Sequence, residues 1–437
     1  MLENSFYIET YGCTSNKADS YIISNELNKA NYIQTSFENA QFIIINTCAV
    51  KEQTENKIKA RLENLYQLYK KNPNKHIIIA GCLPHIAPNY IEVIKKIIPS
   101  FSAIIDLNNI SAIPDILQEV KTGKKSLILL SEKSINKAKF HINHPLGKIT
   151  GIIPISEGCL GSCTYCCVKN ARGRLNCYNP KDIIKNVEYQ LKQGIKQIYL
   201  TSQDCSIYQF NGTSLKDLIN TIVSLDYKFF LRIGMINPSF LIDHTDELIS
   251  IFESKKVYQF LHIPIQSGSS KILKKMQRTY TISDIVNNIE LLQKKFKNLT
   301  ISTDIICGFP GESEHDFYRT INFIKWLKPE ILNISKFTPR PATKAKEMEQ
   351  IDSKTIKRRS IRLSRIFRNS LVDMNNKWKG WEGEVLTLHK GTLKNQGFGR
   401  NFAYKNIFID NYEGNYGEFL EVKINRIDGF NLYGKLI

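Results

Sequence analysis

The stretch SEGCLGSCTYCCVKNARGRL, residues 156–175, decides the fold because it places three cysteines on one short loop. Cys159, Cys163 and Cys166 are separated by three and then two residues, directly after an apolar run. Thiolates are soft ligands that favour iron–sulfur clusters, zinc or cuprous copper, and three of them on so tight a loop indicate a metal centre. We therefore expect the rest of the chain to be organised around this loop.

The spacing of these cysteines distinguishes two kinds of metal site. A zinc knuckle usually carries two Cys-x2-Cys pairs or paired histidines, and this segment has neither. A loop of this size can instead fix three corners of a 4Fe-4S cubane and leave the fourth iron open. With Tyr165 before the third cysteine, the loop resembles that of the radical S-adenosylmethionine (SAM) enzymes. The resemblance implies that SAM chelates the open iron and yields a 5′-deoxyadenosyl radical.

Three further cysteines lie in the first hundred residues. Short β-rich runs at 6–10, 42–47 and 76–80 are each followed within a few residues by a cysteine, namely Cys13, Cys48 and Cys82. The segments 19–31 and 52–69 between them have helical apolar spacing, which predicts a parallel α/β sheet with all three cysteines at one edge. We expect a second three-cysteine cluster there. The alternative is three unrelated buried thiols.

The motifs around these cysteines are YGCTSN (11–16), NTCAV (46–50) and AGCLP (80–84). They resemble the amino-terminal domain of the methylthiotransferases, a family of radical SAM enzymes. The resemblance implies that Cys13, Cys48 and Cys82 hold an auxiliary 4Fe-4S cluster that handles the sulfur to be inserted. The expected cofactors are therefore two 4Fe-4S clusters and SAM.

Strands and helices alternate after residue 147. Six β-rich runs at 152–156, 197–201, 229–236, 258–265, 300–307 and 331–337 are separated by helical segments. This pattern predicts an α/β fold with a partial (βα)6 TIM-like barrel, whose reactive face lies at the carboxyl ends of the strands. Polar residues occur at those ends, and each of them has a turn or a helix cap as its alternative role.

The motifs TSQD (201–204), HIPIQSGS (262–269) and TDIICGFPGE (303–312) extend the methylthiotransferase resemblance through the barrel. By that resemblance Gln203 and Asp204 lie near the amino end of SAM, and Gly308 lets the backbone approach the adenosine closely. The residues expected to bind the cofactor are Tyr165, Gln203, Asp204, Asn237, Gln266, Ser267 and Gly308.

The charge balance predicts a polyanionic partner. The chain has 60 Lys and Arg residues against 41 Asp and Glu residues, and we expect nucleic acid to be the large polyanion that this charge attracts. Anionic membrane and a mere bias of composition are the alternatives. Because no stretch reaches the ~18 apolar residues of a membrane span and no secretory signal is present, we expect a cytoplasmic protein without a membrane partner.

Basic residues cluster at two places where RNA contact is expected. Arg172 and Arg174 follow the cysteine loop, and a predicted helix at 354–368 carries a stripe that includes Arg358, Arg362 and Arg365. A solvated surface is the alternative for both places.

The carboxyl-terminal part, from residue 381 onward, has short β-rich runs separated by Gly and Asn turns and predicts a small β-barrel. It resembles the TRAM domain of the methylthiotransferases. Phe398, Arg400, Phe402 and Tyr404 are candidate RNA contacts there, and core aromatic residues are the alternative. The expected domains are an amino-terminal methylthiotransferase domain (1–125), a basic linker (126–147), a radical SAM core (148–376) and a TRAM domain (377–437). The linker is expected to be either a solvated tether or a contact for an RNA backbone.

The resemblance covers nearly the whole chain and implies a tRNA methylthiotransferase. Ala171, Arg172 and Gly173 resemble the archaeal and eukaryotic branch, which adds a methylthio group to C2 of N6-threonylcarbamoyladenosine at position 37 of tRNA. Alternatives are the same chemistry on isopentenyladenosine or on an aspartate of a ribosomal protein, and a non-catalytic iron–sulfur RNA-binding protein. Expected partners are tRNA and an electron donor of the flavodoxin or ferredoxin type, with the sulfur donor unassigned. One departure is Ala342, where the family usually has glycine.

Overall fold

A computed structural model of the chain describes residues 2–72, 74–131 and 133–437. The amino-terminal unit is a six-stranded sheet in the order β2-β1-β3-β4-β5-β6, and all its strand pairs are parallel. Its elements are β1 (Ser5–Thr10), α1 (Thr14–Lys29), β2 (Ile33–Gln34), β3 (Phe42–Thr47), α2 (Glu52–Lys71), β4 (His76–Gly81), α3 (Tyr90–Ile97), β5 (Ala103–Ile105), α4 (Ile113–Lys121) and β6 (Leu127–Leu129).

The sheet has the continuous apolar strands that a parallel sheet requires. All six residues of β3 are buried, as are five of the six residues of β4, because parallel sheets are covered on both faces. The last strand, β6, pairs with β5 beyond the expected boundary at residue 125. The sheet therefore includes the start of the segment expected to be a linker.

The central unit is a partial barrel of six parallel strands. The sheets β7-β10-β13 and β14-β15-β16 are joined by parallel bridges from Leu231 to Val257 and from Met235 to His262. Its elements are β7 (Thr150–Pro154), β8 (Ser156–Glu157), α5 (Val168–Arg172), β9 (Asn176–Cys177), α6 (Pro180–Lys192), β10 (Gln197–Thr201), β11 (Gln209–Phe210), β12 (Thr213–Ser214), α7 (Leu215–Val223), β13 (Phe230–Arg232), α8 (Phe240–Phe252), β14 (Phe260–His262), α9 (Ser270–Lys275), α10 (Ile282–Lys295), β15 (Thr300–Cys307), α11 (Glu314–Leu327), β16 (Ile331–Lys336) and α12 (Ser353–Asn376).

Side chains alternate between the two faces of these barrel strands. Leu231, Leu261, Ile263, Ile301 and Ile305 lie in the apolar core shared with the surrounding helices. Their sequence neighbours point to the lumen, since successive side chains of a strand face opposite sides. The partial (βα)6 barrel predicted from the sequence is thus present.

The segment after β6 packs against the barrel instead of forming a solvated tether. Asn136 donates to Asp182 of α6 at 2.8 Å, and Asn186 of the same helix donates to the carbonyl of Ala138. Lys137 is 1% exposed and forms ion pairs described below. A solvated tether is therefore the wrong description of this stretch, because Lys137 is buried and its charge is neutralised by carboxylates inside the protein.

The carboxyl-terminal unit is a closed five-stranded barrel in the order β17-β18-β19-β21-β20. Its strands are β17 (Glu382–Lys390), β18 (Gln396–Asn401), β19 (Asn406–Asp410), β20 (Phe419–Asp428) and β21 (Asn431–Leu436). The amide of Gln259 donates to Phe402, the Thr300 hydroxyl donates to Ala403 and the hydroxyl groups of Tyr199 and Tyr404 are 2.7 Å apart. The small barrel therefore covers the amino-terminal ends of the large barrel's strands, opposite the reactive face.

Within the described residues, no helix has the length and apolar character needed to cross a membrane.

Candidate active site

The cysteine loop follows β8 and ends at α5. The amide of Gly161 donates to the Sγ atom of Cys159 at 3.2 Å, and the guanidinium of Arg278 donates to the Sγ atom of Cys163 at 3.4 Å. The amide of Thr164 donates to the carbonyl of Met276, which fixes the loop to the barrel. Cys166 is exposed on the same loop. Three sulfur atoms are thus presented from one short, anchored segment.

The second triplet is assembled from three separate loops at the carboxyl ends of strands. Cys13 is the amino-terminal cap of α1, Cys48 follows β3 and Cys82 follows β4. A Cβ atom on Gly12, whose φ is +108°, would lie 2.7 Å from the Sγ atom of Cys48. A Cβ atom on Gly81, whose φ is +106°, would lie 2.5 Å from the Thr47 carbonyl oxygen. The glycines before two of the cysteines therefore let these loops meet.

Burial controls the ionisation of the second triplet. It raises the pKa of Cys82 to about 12, although the positive charge of the Arg172 guanidinium acts to lower that pKa. Burial also raises the pKa of Cys48, and a thiolate at Cys13 adds to the shift. Thiolates at this depth need a positive counter-charge, which a bound metal centre provides.

The donor set of each triplet fits a 4Fe-4S cluster. Among residues 2–72, 74–131 and 133–437, no three His, Cys, Asp or Glu side chains are gathered closely enough for a single metal ion. A cubane binds each cysteine through a different iron, so its ligands do not converge on one point as the ligands of zinc do. Each site offers three soft thiols and leaves one iron open.

A buried ring of four charges lies between the two triplets. Arg172 pairs with Asp19 of α1 at 2.8 Å and with Glu157 of β8 at 2.6 Å, and Lys137 pairs with the same two carboxylates at 2.8 Å. The Arg172 guanidinium also donates to Asn16 at 3.2 Å. The expected RNA contact of Arg172 is therefore wrong, because its side chain is 5% exposed and bonded to α1 of the amino-terminal unit.

A second contact brings the two cysteine sites together. The thiol of Cys167, next to the ligand Cys166, donates to the carbonyl of Ala49, next to the ligand Cys48, at 3.1 Å. The guanidinium of Arg340 donates to the same carbonyl at 2.7 Å and pairs with Glu55. The two triplets thus lie on opposing sides of one packed interface.

Several residues expected to bind SAM surround the cysteine loop. The Oε1 atom of Gln203 accepts from the amide of Gly158 at 2.7 Å. Asp204 accepts from the amide of Asn237 at 3.3 Å, and burial raises the pKa of its carboxyl. The amide of Gln266, whose φ is +73°, donates to the carbonyl of Asp304 in β15. Tyr165 lies edge-on to Phe309. Gln203, Asp204, Asn237 and Gln266 follow the barrel strands, next to the cysteine loop that carries Tyr165.

Two of the expected cofactor residues have other roles in the structure. Ser267 is fully buried, and its hydroxyl lies 3.4 Å from the Thr320 hydroxyl of α11, so it supports helix packing. A Cβ atom on Gly308 would lie 2.4 Å from Ile356 of α12. The approach of α12 therefore requires glycine at position 308, and the expected approach of its backbone to adenosine stays a prediction.

Comparison with known proteins agrees with this geometry. Residues 153–324 match the Radical SAM superfamily, and residues 5–105 match the Uncharacterized protein family UPF0004. The chain is 36% identical over 435 residues to the probable threonylcarbamoyladenosine tRNA methylthiotransferase of Pyrococcus horikoshii, with 99% of each chain covered. It is 29% identical to the threonylcarbamoyladenosine tRNA methylthiotransferase of Drosophila melanogaster, with 99% of this chain and 77% of that one covered.

The chain belongs to the threonylcarbamoyladenosine tRNA methylthiotransferase family. Membership confirms the expected enzyme class and the expected cofactors, SAM and 4Fe-4S clusters. Among solved structures, the radical SAM methyltransferase TsrM of Kitasatospora setae shares the fold with a TM-score of 0.56 at 12% identity, over 79% of this chain and 77% of that one. This likeness confirms the α/β radical SAM architecture.

The sequence analysis missed Arg278 in this methylthiotransferase. Besides Cys163, its guanidinium donates to the side chain of Asn237 and to the carbonyl of Pro264, both at 3.3 Å. It forms no ion pair with any carboxylate in the described parts of the chain. Its role was hidden because its partner Cys163 lies 115 residues earlier in the chain.

The remaining RNA candidates of this family member lie after α5, on α12 and in the small barrel. Arg174, Arg358, Arg362 and Arg365 are exposed, whereas Arg359 of the same helix is buried and pairs with Glu312. Phe398 and Arg400 are half-buried. Tyr404, also a candidate, instead packs against Phe260 and Tyr258 of the large barrel, so the RNA-contact prediction is wrong for it.

Proposed function

We propose that the protein is a tRNA methylthiotransferase that adds a methylthio group to C2 of N6-threonylcarbamoyladenosine at position 37 of tRNA. The observation that carries the proposal is that two three-cysteine sites meet across one interface. In addition, a relative named as a probable threonylcarbamoyladenosine tRNA methylthiotransferase matches 99% of the chain. When bound, the clusters and SAM supply radical chemistry, which an aromatic C–H bond needs because it offers no acidic proton to a general base.

Cys159, Cys163 and Cys166 would hold the cluster that binds SAM, and Gln203, Asp204 and Asn237 would line the SAM site. Arg278 supplies a cation beside Cys163 with no carboxylate against it in the described residues. Such an unpaired guanidinium suits the carboxylate of SAM, because a fork of N–H donors matches carboxylate geometry.

Cys13, Cys48 and Cys82 would hold the auxiliary cluster, with the sulfur to be transferred. Arg172 lies beside this site and its positive charge favours thiolate at Cys82 and Cys48. The same residue bonds to Glu157, two positions before Cys159. It therefore holds the auxiliary site in a fixed position against the radical loop.

The small barrel has a surface suited to unpaired nucleotides, and we assign it as a TRAM domain. His389 stacks on Phe398 at 4.6 Å, Phe398 meets Phe408 at 5.3 Å, Phe408 stacks on Tyr433 at 5.3 Å and Arg426 lies 3.5 Å from the Tyr433 ring. The neighbours Ile407, Ile409 and Leu432 fill the barrel core, so this aromatic ladder faces away from it. Phe408 is only 9% exposed, whereas His389 is exposed and Phe398 and Tyr433 are half-buried. Successive aromatic faces with nearby arginines bind bases by stacking.

The exposed arginines Arg358, Arg362 and Arg365 of α12, with Arg174 and Arg400, would contact the phosphate backbone. Arg362 also lies 4.5 Å from the ring of Tyr318. We assign the working compartment as the cytoplasm, since all ten cysteines are free, and the reductant as a flavodoxin or ferredoxin. The sulfur donor is not assigned.

Nucleoside mass spectrometry of tRNA tests this function. Deletion of the gene should abolish 2-methylthio-N6-threonylcarbamoyladenosine and leave N6-threonylcarbamoyladenosine in its place. The cloned gene should restore the product, and a Cys163→Ala version should not. Unchanged nucleosides would contradict the proposal, and loss of a methylthiolated isopentenyladenosine instead would indicate the alternative substrate.

A further inference from the structure

One carboxylate at the start of α11 is shared by a buried arginine and two exposed arginines of α12. Glu314 lies 3.2 Å from the guanidinium of Arg359, whose side chain is 5% exposed. The same carboxylate lies 3.6 Å from Arg362 and 3.9 Å from Arg358, which belong to the exposed stripe that we assign to the RNA backbone. Glu314 itself is 46% exposed. It therefore joins the expected RNA surface to the interior of the protein.

The buried arginine of this group is bonded to the turn that follows β15, residues 308–312. The Nη1 atom of Arg359 donates to the Oε2 atom of Glu312 at 2.8 Å and to the backbone carbonyl of Glu312 at 3.0 Å. The same Oε2 atom accepts from the amide of Gly308 at 2.8 Å. The amide of Glu312 donates to the carbonyl of Phe309 at 2.9 Å, which closes the turn. Arg359 thus fixes both ends of this turn.

The turn 308–312 packs against the loop that carries the first cysteine triplet. The side chain of Phe309 is fully buried, and its ring lies edge-on to that of Tyr165, with 6.3 Å between the ring centroids. In the sequence, Tyr165 stands between the ligands Cys163 and Cys166. Because buried side chains are closely packed, a shift of the turn moves a ring that lies between two cluster ligands.

We propose that Glu314 and Arg359 are positioning residues that couple tRNA binding on α12 to the cysteine loop; this inference rests on the proposed function. A phosphate bound by Arg358 and Arg362 takes these two arginines from Glu314, because a guanidinium fork matches phosphate oxygens. The negative charge of the phosphate also repels the carboxylate toward Arg359. The strengthened pair holds the turn 308–312 more firmly against the cysteine loop. The phosphate thus acts on one pair selectively, as coupling between two sites requires.

A carboxylate that only balances local charge explains less of the geometry. The counter-charge that a buried guanidinium needs is already supplied by Glu312, whose side chain is 1% exposed and lies 2.8 Å from Arg359. The contact with Glu314 is therefore additional, and Glu314 is also the carboxylate that the exposed arginines share. Since Glu314 is half exposed, solvent screens its ion pairs, and we expect a coupling of only a few-fold.

Glu314→Gln removes the shared charge and leaves the buried pair of Arg359 and Glu312 in place. Glu349→Gln is the matched control, at an exposed glutamate just before α12 that forms no ion pair within the part of the chain described. The reconstituted full-length enzyme, reduced with dithionite, is titrated with tRNA that carries N6-threonylcarbamoyladenosine. The readouts are 5′-deoxyadenosine formed with and without saturating tRNA, and the Kd for tRNA. The buffer is mildly alkaline, because burial raises the pKa of Glu312 to about 7 and its ion pair needs the ionised form.

Saturating tRNA should increase SAM cleavage by the wild type. We expect Glu314→Gln to lower cleavage at saturating tRNA roughly threefold, the effect of one exposed ion pair, and to leave cleavage without tRNA unchanged. Its tRNA binding should be at least as tight as that of the wild type, because a competing carboxylate is gone, and Glu349→Gln should retain the full increase.

Three results overturn the inference: no increase with tRNA in the wild type, a full increase in Glu314→Gln, or an equal loss in Glu314→Gln with and without tRNA, which a merely structural role would give. The methylthiolated nucleoside is measured in the same reactions. Its absence from the wild-type reaction contradicts the proposed function. Its presence, together with a full increase in Glu314→Gln, contradicts this inference alone.

Discussion

The two cysteine triplets of this protein present the same donor set in opposite ways. Cys159, Cys163 and Cys166 lie within eight residues of one loop, and their arrangement depends on local backbone bonds. Cys13, Cys48 and Cys82 lie on three loops that only the folded sheet brings together. The first site is thus specified by its own sequence, whereas the second is specified by the whole amino-terminal unit.

This difference predicts different sensitivities for the two sites. Damage to the sheet, or to the interface between the sheet and the barrel, should reach the auxiliary site before it reaches the radical loop. The interface is held by buried charges and by Cys167 and Arg340, which are distant in sequence from the amino-terminal sheet.

Removal of one ligand from each triplet should give the largest effects. Cys163→Ala should abolish both SAM cleavage and methylthiolation, whereas Cys82→Ala should abolish methylthiolation and retain SAM cleavage to 5′-deoxyadenosine. In each variant, the iron content after anaerobic reconstitution should fall from about eight to about four atoms per chain. Cys177→Ala, outside both triplets, should match the wild type. Loss of SAM cleavage in Cys82→Ala would show that the two sites are not separable.

Arg172→Gln should give the next largest effect. It leaves two buried carboxylates with only Lys137 as counter-charge, and breaking a buried ion pair costs about 3–5 kcal/mol of unfolding free energy. Arg174→Gln is the control, because Arg174 is exposed and has no ion pair within the described chain; it should cost less than about 0.5 kcal/mol. Urea denaturation measures both variants. Equal costs would mean that the ring of charges does not hold the interface.

Gly12→Ala and Gly161→Ala compare the backbones of the two sites. At Gly12 the new Cβ would be 2.6 Å from the Cβ atom of Cys48, and a φ of +108° disfavours any side chain, so we expect a loss of about 1–3 kcal/mol and of auxiliary iron. At Gly161 the nearest atom would be the Cys159 sulfur at 3.3 Å, with an ordinary φ, so the loss should be smaller. Iron content and urea denaturation report both, and a greater loss in Gly161→Ala would reverse the comparison.

The sequence predicted both triplets because their signals are local. Three cysteines on one loop need no fold to be recognised, and cysteines that follow β-rich runs converge by the general rule for parallel sheets. The errors concern pairing. Nothing local to Arg172, Lys137 or Arg359 shows that a carboxylate from another element neutralises each of them. The contact between His262 and Asp304 was missed in the same way, because the two residues are 42 positions apart in the chain.

Strand β18 was missed for a packing reason. In its sequence QGFGRN, glycine occupies the alternate positions that carry apolar side chains in other strands. The usual alternation of apolar and polar residues is therefore absent. The structure explains the glycines: a Cβ atom at Gly397 would be 2.6 Å from Tyr412, and one at Gly399 would be 2.5 Å from the Leu386 carbonyl oxygen. The interior of the small barrel has no space for side chains there.

Ala342→Gly should give the smallest effect. It tests the interface between the amino-terminal sheet and the barrel. Ala342 has a φ of +53°, a left-handed conformation that costs alanine about 1 kcal/mol, and it lies two residues after Arg340, which bonds to the loop of Cys48. Glycine should therefore raise the unfolding free energy by up to about 1 kcal/mol and leave the radical loop unchanged. Ala345→Gly, at a fully buried alanine nearby without a positive φ, should lower it. If both substitutions destabilise the protein in urea, the turn at Ala342 is not strained, and the family's usual glycine at this position must be needed for another reason.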